Sequence, residues 1–449
     1  MLKCGFSKRC ITPPVGFPMA GGTDPKFNDG VLDDLFTRAI VFFDGERYAA
    51  LITVDVCYMP TVVFDDCRKR ISERCGIDEN AIIITCSHTH AGPYMNAPLW
   101  WESKADNDGY TDDVRNNICA AADEAYRNLY ESKMYTARGE AKGISFIRRY
   151  RMKDGSVVTN PGEENPEILE PLGKPNETVK LLKIEREGAK DIYIVNFGTH
   201  SCMVGGYKTS ADYPGVVCAT VEAAIGDCEC MFILSAAGDT NHVNVHPSPE
   251  EKLLHEDDKQ NFSKNRLRAK FVGRAVAGEA IKICTAAKEI KSDGISFGMR
   301  EISVPSNKGG DLKEAKRIYA IHKAGKADTL PYRDMELITV VSNASRIIRM
   351  QTAPDFYTYK LFAISVGDFV FAGLPGEPFT ELGNRVMDAS PFGEGMLCSI
   401  TNAMSTYFLT TKAMLEGGYE AAASNIGKGA DDIIVDGMKK LYAEIKTEN

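Results

Sequence analysis

Only seven histidines occur in the 449 residues, and three of them close apolar, strand-like runs: His88 and His90 after Ala81-Ile82-Ile83-Ile84-Thr85, and His200 after Ile192-Tyr193-Ile194-Val195-Asn196-Phe197. Strand ends are where α/β proteins put their chemistry. Residues i and i+2 of an extended segment point the same way, so His88 and His90 are expected to face one site. An HxH pair joined by a distant third histidine is a way to assemble zinc ligands, since neutral imidazole suits Zn2+; the competing reading is a set of satisfied core or turn histidines. Two carboxylates also end buried runs. Asp239 in Ser235-Ala236-Ala237-Gly238-Asp239 reads, taken alone, as a turn former, whereas Glu377 between Gly376 and Pro378 is a poorer turn former and is read as a ligand or base. His242 and His246 lie close enough behind Asp239 to line the same site, while His322, on a polar helical face, and His255, in a charged insertion, read as solvent-facing.

These residues need a scaffold, and the apolar periodicity supplies one. Two β-rich runs flank Asp44-Gly45-Glu46 as a hairpin. Val63, Cys67 and Ile71 then mark a helix stopped by Gly76, and Ile82–Thr85 reads as a strand buried on both faces. Thr111, Asp112 and Asp113 are expected to cap a helix with the stripe Val114, Ile118, Ala122, Ala125 and Leu129, packed on the sheet. Between Tyr150 and Glu177 the pattern is broken by Pro161, Pro166, Pro171 and Pro175, so the expectation over 150–177 is a long loop insertion. Strand patterns resume around residues 179–185, 191–197 and 231–234, with a helix after Asp212 and Pro214. A second polar insertion at 243–263 leads into a long helix around Leu267, Phe271, Ala275 and Ile281. Near the C-terminus, Gly367-Asp368 joins two apolar runs as a second hairpin. The interleaving of strands and helices points to one α/β domain over 1–449, a mixed sheet flanked by helices, rather than separate modules.

Composition narrows the class. With 44% hydrophobic residues the chain buries a large core, and no stretch approaches the roughly 20 apolar residues of a membrane span. A net charge of -9 and only short basic runs, such as Arg148 to Lys153, argue against a nucleic-acid partner. The N-terminus lacks the apolar run of a secretory signal. Thirteen cysteines, an odd count, lie largely inside apolar segments (Cys57, Cys67, Cys75, Cys86, Cys119, Cys218, Cys284), which reads as the reduced core of a cytoplasmic protein.

Five phrases occur in order: Cys86-Ser87-His88-Thr89-His90-Ala91-Gly92-Pro93; Asn196-Phe197-Gly198-Thr199-His200 with Ser210-Ala211-Asp212-Tyr213-Pro214-Gly215; Ala236-Ala237-Gly238-Asp239-Thr240-Asn241; Gly373-Leu374-Pro375-Gly376-Glu377-Pro378-Phe379; and Tyr407 followed by Gly417-Gly418-Tyr419-Glu420. This series resembles the motifs of neutral, non-lysosomal ceramidases, in order and approximate spacing from Thr12-Pro13 to Glu420. The resemblance implies zinc held by His88, His200, Glu377 and the phenol of Tyr407, a tyrosinate being reasonable because the cation lowers the pKa of an oxygen donor. It further implies His90, Arg148 and Tyr419 as catalytic residues, with Asp212, Asp239 and Asn241 behind the ligands or against substrate. Arg149 competes with Arg148, and Ile147 stands where the family pattern has asparagine. Two other departures bear on substrate: Asp239 is followed by Thr240-Asn241 rather than by the family's serine, and the sequence ends at Asn449 without a counterpart of the further C-terminal β domain.

The combined reading is a zinc-dependent hydrolase cleaving the amide bond of a small N-acylated substrate, with its oligomeric state left open. Tyr419 and Arg148 would stabilise the oxyanion, and His90 would shuttle the proton. The alternatives are a zinc hydrolase acting on a small polar amide, ester, peptide or N-acyl sugar, and a zinc-stabilised binding protein without turnover. The polar insertions at the expected pocket rim favour a short or polar acyl group over long-chain ceramide, although Trp100-Trp101 offers one apolar wall.

Overall fold

The computed structural model describes residues 1–21, 26–95, 108–253 and 266–447. Trp100, Trp101, His255 and residues 254–263 of the second insertion lie outside the described residues. Strand β1 (Lys3–Cys10) is followed by the expected hairpin, β2 (Phe36–Phe43) and β3 (Tyr48–Val54). Asp44 Oδ1 closes its turn by accepting from the Glu46 and Arg47 amides at 2.8 and 2.7 Å. Helix α1 (Thr61–Cys75) buries Val63, Cys67 and Ile71 and stops where Gly76 turns left-handed at φ 68°, a conformation without steric cost only for glycine. Strand β4 (Ile82–Cys86) is buried at every position and runs parallel to β3. Helix α2 (Asp108–Arg127) begins three residues before the expected cap at Thr111, so the Thr-Asp-Asp triplet marks its first turns rather than its boundary. Its buried Val114, Ile118, Ala122 and Ala125 face β1 and β2.

Further along come β5 (Tyr130–Glu140), β6 (Thr178–Arg186), β7 (Asp191–Phe197), α3 (Asp212–Ile225), β8 (Cys228–Leu234) and α4 (Leu267–Cys284). The strands form a nine-stranded mixed sheet in the order β8-β7-β6-β5-β1-β2-β3-β4, with Lys288–Ile290 pairing along β5. Pairing is parallel between β7 and β8 and between β3 and β4, and antiparallel elsewhere. Helix α4 buries Ala269, Val272, Val276, Ala280 and Ile283, whereas Phe271 is 45% exposed. Ala275 and Ile281 of the expected stripe are half-buried against the same core, and Phe271 alone is turned out, its neighbour Val272 taking the buried place. The loop expected over 150–177 is corrected as well: Arg149–Met152, Val157–Thr159 and Ile168–Pro171 form a small antiparallel sheet. Its strands are too short to show a period, and Pro171 sits on an edge strand, where a missing donor is tolerated.

A second sheet, β9 (Ile295–Pro305), β10 (Phe356–Val366), β11 (Phe369–Gly373) and β12 (Glu394–Cys398), contains the predicted Gly367-Asp368 hairpin with Val366 opposite Phe369. Phe362, Phe371 and Met396 from this sheet share one buried cluster with Leu51, Ile83 and Met231 of the first, so the sheets are two layers of one α/β core. The chain leaving β12 then ties the large sheet together. The Ser399 amide donates to the Leu234 carbonyl at 3.0 Å, and Asn402 brackets the edge of β4, accepting from the Ile84 amide and donating to the Ile82 carbonyl, both at 2.8 Å. The segments following β4, β7, β8 and β11 are thereby gathered into one region. No helix among the described residues is long and apolar enough to cross a membrane.

Candidate metal and catalytic site

His88 and His90 converge by a different route from the expected one. The strand ends at Cys86, and His88 adopts a left-handed backbone with φ 61°, so the pair does not lie on one face of an extended segment. The Ser87 amide donates to the Val54 carbonyl and the His88 amide to the Val56 carbonyl, each at 3.0 Å, and these hydrogen bonds hold the turn against the end of β3. Such a conformation is uncommon outside glycine and persists where the surroundings over-determine it. The result is nonetheless convergence: His88 Nε2 lies 3.0 Å from His200 Nε2, 3.3 Å from His90 Nε2 and 3.2 Å from Glu377 Oε2, with His200 Nε2 3.7 Å from the same oxygen.

The other nitrogen of each ring explains the orientation. His88 Nδ1 meets the Cys57 carbonyl at 2.9 Å, His200 Nδ1 the Ala237 carbonyl at 3.1 Å, and His90 Nδ1 the Gly21 carbonyl at 3.0 Å. A carbonyl accepts only, so each Nδ1 carries a proton, and each Nε2 is the atom turned inward, able to offer its lone pair to a cation. Burial pushes His200 and His90 well below the ordinary imidazole range, and the charges of Arg148 and His88 add to the effect. At His88 burial acts in the same direction, but Cys57 and Glu377 outweigh it and raise this ring. Two imidazole nitrogens and a carboxylate thus converge on His88 Nε2, an arrangement that calls for a cation among them, which without a metal is the proton of His88. Glu377 Oε2 is shielded from solvent, and among the described residues its polar neighbours are the imidazole nitrogens of His88 and His200 at 3.2 and 3.7 Å. Ligand atoms of a tetrahedral zinc stand about 3.3 Å apart, given Zn–N of about 2.0–2.1 Å, and the 3.0, 3.2 and 3.7 Å separations within His88, His200 and Glu377 bracket that value. These residues fit zinc. A second grouping, Cys57 with His88 and His90, fits poorly, because the Cys57 sulfur faces the Nδ1 side of His88 at 3.6 Å.

Glu377 and Tyr407 are register partners in a two-residue parallel bridge, Glu377–Pro378 against Tyr407–Phe408, which sets the phenol beside the carboxylate. Burial, then the Glu377 charge, hold the Tyr407 hydroxyl protonated in the absence of a cation. The Tyr407 and Tyr419 rings stand 5.9 Å apart, and the Arg148 guanidinium lies 5.4 Å over the Tyr407 ring. The choice between the two arginines is thereby clear in position. Arg148 reaches the tyrosines, whereas Arg149 points away and donates to the Ala413 and Gly417 carbonyls at 3.2 and 2.8 Å.

The three supporting polar residues lie behind the cluster. Asp212 Oδ2 accepts from the Met203 and Val204 amides at 2.9 and 2.8 Å, bracing the turn after His200. Asp239 Oδ1 accepts from the Thr380 amide and hydroxyl, both 2.8 Å, and so anchors the helix Thr380–Asp388 just past Glu377. Asn241 donates to Asn160 Oδ1 at 2.8 Å, joining the Arg148 arm to the neighbouring loop. His242 lies elsewhere, in a crevice with Phe146, Arg268 and Phe271, and exposed His246 and helical His322 are likewise outside the cluster. Sequence reasoning passed over Cys57, Gly21 and Glu420. Cys57 ends the β3 run as His88 ends the β4 run, a signal of the same kind. Gly21 has φ 82°, and an added Cβ would stand 2.5 Å from that of His90, so only glycine brings its carbonyl to this ring.

No known protein family matches the sequence, and no curated protein matches it. Comparison with solved structures does find relatives in shape. A structure described as ceramidase complexed with C2 superposes with a TM-score of 0.73 at 13% identity, covering 100% of this chain and 75% of the other. The neutral ceramidase from Pseudomonas aeruginosa gives 0.73 at 14% identity, covering 99% of this chain and 75% of the other. The chain therefore has the neutral ceramidase fold, as the motif series implied; identity this low speaks for the fold and leaves the reaction to be argued from the site.

Proposed function

We propose that this chain is a zinc-dependent hydrolase that cleaves the amide bond of a small N-acylated substrate, a ceramidase-like activity. The observation that carries the proposal is the inward convergence of the Nε2 atoms of His88 and His200 with Glu377 Oε2, each ring nitrogen opposite held by a backbone carbonyl. His88, His200, Glu377 and Tyr407 would hold the metal. Zinc bound there would lower the pKa of water towards about 7 and polarise a carbonyl.

The remaining steps fall to the protein. His90, kept neutral by burial and more accessible than the other two rings, accepts the proton of the attacking water and passes it to the leaving amine. Arg148 and Tyr419 donate to the oxygen on which negative charge develops, a role in which one donor is commonly worth about 10²–10³ in rate. Burial raises the Tyr419 phenol, so it stays a donor at neutral pH. The fold shared with two ceramidases supports an N-acylated lipid-like substrate class. Thirteen free thiols, ten of them buried, support a reducing compartment and hence a cytoplasmic location.

The test is metal analysis together with hydrolysis of an amide panel: N-acetyl amines, short-chain and long-chain ceramides, N-acyl sugars and peptides. About one zinc per chain and turnover of one amide class support the reading. Zinc without turnover of any amide or ester would leave the binding-protein alternative standing.

A further inference from the structure

Tyr419 is followed by a glutamate that is 0% exposed, an expensive location for a carboxylate unless every oxygen is engaged. Both oxygens are. Glu420 Oε1 accepts from Arg148 Nε at 2.7 Å, and Oε2 accepts from the Thr159 hydroxyl at 2.9 Å, with Arg149 Nε 3.6 Å away. The other fixed point of Arg148 is Nη2, which donates to the Gly238 carbonyl at 2.8 Å. Its backbone is pinned too, the amide donating to the Asp239 carbonyl at 3.0 Å and the carbonyl accepting from the Asn160 amide at 2.8 Å. A guanidinium held at Nε and Nη2 by two separate acceptors cannot rotate about its Cδ–Nε bond. Of its three remaining N–H donors, the two on Nη1 make no bond to any described residue, while the group lies over the Tyr407 ring.

We propose that Glu420 is a positioning residue for Arg148: it fixes the guanidinium plane so that Nη1 is presented to the developing oxyanion, and it compensates the buried cation without being reached by substrate. The proposal rests on the hydrolase reading. It also accounts for the adjacency of Tyr419 and Glu420. One short helix, Tyr419–Ala423, delivers the second oxyanion donor and the anchor of the first, so the two donors move as a unit. The charge of Glu420 matters beyond its shape. A glutamine could accept from Arg148 Nε with one atom only by turning its own NH2 towards Arg149 Nε, donor against donor, or towards the Thr159 hydroxyl.

The experiment compares Glu420→Gln, Arg148→Gln, the double variant and the milder Thr159→Val, each loaded with zinc. Expected for Glu420→Gln are unchanged zinc content, KM within about 3-fold and kcat lower by about 10²-fold, as for loss of one oxyanion donor. The double variant should lose no more than the worse single one, since both act through one group, and Thr159→Val should lose about 3- to 10-fold, because it only loosens the carboxylate. Two results overturn the proposal: a kcat per folded, zinc-loaded site equal to wild type in Glu420→Gln, or losses that multiply in the double variant. Should wild type hydrolyse no amide, the hydrolase reading fails on its own. Positioning is then read from calorimetric affinity for acetohydroxamate, a small zinc-binding anion. Equal loss of affinity in Arg148→Gln and Glu420→Gln supports the proposal, and unchanged affinity in Glu420→Gln overturns it.

Discussion

The two halves of the site are built on opposite plans. The imidazole half stands just past the ends of buried strands, and each ring is oriented by a main-chain carbonyl, so its geometry is set by the backbone of the sheet and of the turns that leave it. The other half has Arg148 between the short strands Phe146–Ile147 and Arg149–Met152 and Tyr419 at the start of a five-residue helix, and it is oriented by a buried ion-pair network, Arg148 and Arg149 against Glu416 and Glu420. Strand ends give rigid positions that side-chain substitution elsewhere barely moves, as a metal centre requires. An ion network permits donors to be aimed after the backbone is set, at the cost of failing when any one charge is lost.

If that contrast is right, the largest effects belong to the strand-borne half. His88→Ala and His200→Ala should each lose the metal and reduce kcat/KM by more than about 10³-fold, since a metal supplies several kcal/mol and each 1.36 kcal/mol is tenfold. Zinc content by mass spectrometry and rescue of chelated wild type by added zinc are the measurements; a zinc-free wild type of full activity breaks the comparison. Next come the tyrosines, which lie on either side of the divide. Tyr407→Phe should weaken zinc affinity, whereas Tyr419→Phe should keep zinc and lower kcat by about 10²-fold. If both variants retain full zinc and full rate, the division of labour between the halves is wrong.

The substrate follows the same line. The small sheet over 149–171 flanks the Arg148 arm; Tyr150, Met152, Val158 and Ile168 pack with Val245 in a cluster of their own, and Glu170 and the single large apolar side chain of Leu169 stay exposed. Each methylene of an acyl chain contributes about 0.8 kcal/mol only where it meets apolar surface. Short-chain N-acyl compounds should therefore match or exceed long-chain ceramide in kcat/KM, measured with and without detergent. A clear preference for the long-chain lipid would show that the rim supplies an apolar path and would extend the strand-borne, apolar half of the site outward.

The contrast also accounts for what the sequence disclosed. Ile82–Cys86, Asp191–Phe197 and Phe369–Gly373 announce themselves as continuous apolar runs, so the residues behind them, His88, His200 and Glu377, were legible as a constellation, and both hairpins were legible from their turn residues. The left-handed turn at His88 was not, because positive φ is uncommon even at histidine and residue type alone does not announce it. Nor was the small sheet over 149–171, whose strands of three and four residues are shorter than any period that alternation can reveal. Glu420 was visible only as part of a motif. Its partner Arg148 is separated from it by more than 270 residues, and pairing over that distance leaves no trace in local pattern.

The smallest effect is expected at Arg149, next in sequence to Arg148 and opposite to it in role. Arg149 is 1% exposed, donates to the Ala413 and Gly417 carbonyls that end the helix Thr411–Glu416, and stands 3.5 Å from Glu416. These bonds hold the stretch that leads into Tyr419, yet none is directed at the tyrosines or the imidazoles. Arg149→Lys keeps the charge but replaces a planar fork with a single ammonium, which cannot reach two carbonyls and Glu416 together. Leaving one buried carbonyl without a donor costs about 1–3 kcal/mol. The expected outcome is a stability loss of that size by denaturant titration, unchanged zinc, and kcat within about 3-fold of wild type. Arg148→Lys should do the reverse, losing about 10²-fold in kcat with a smaller stability loss. A kcat loss at Arg149 as large as that at Arg148 would mean that the ion network aims both cations at the substrate, and the two halves of the site would then share one design.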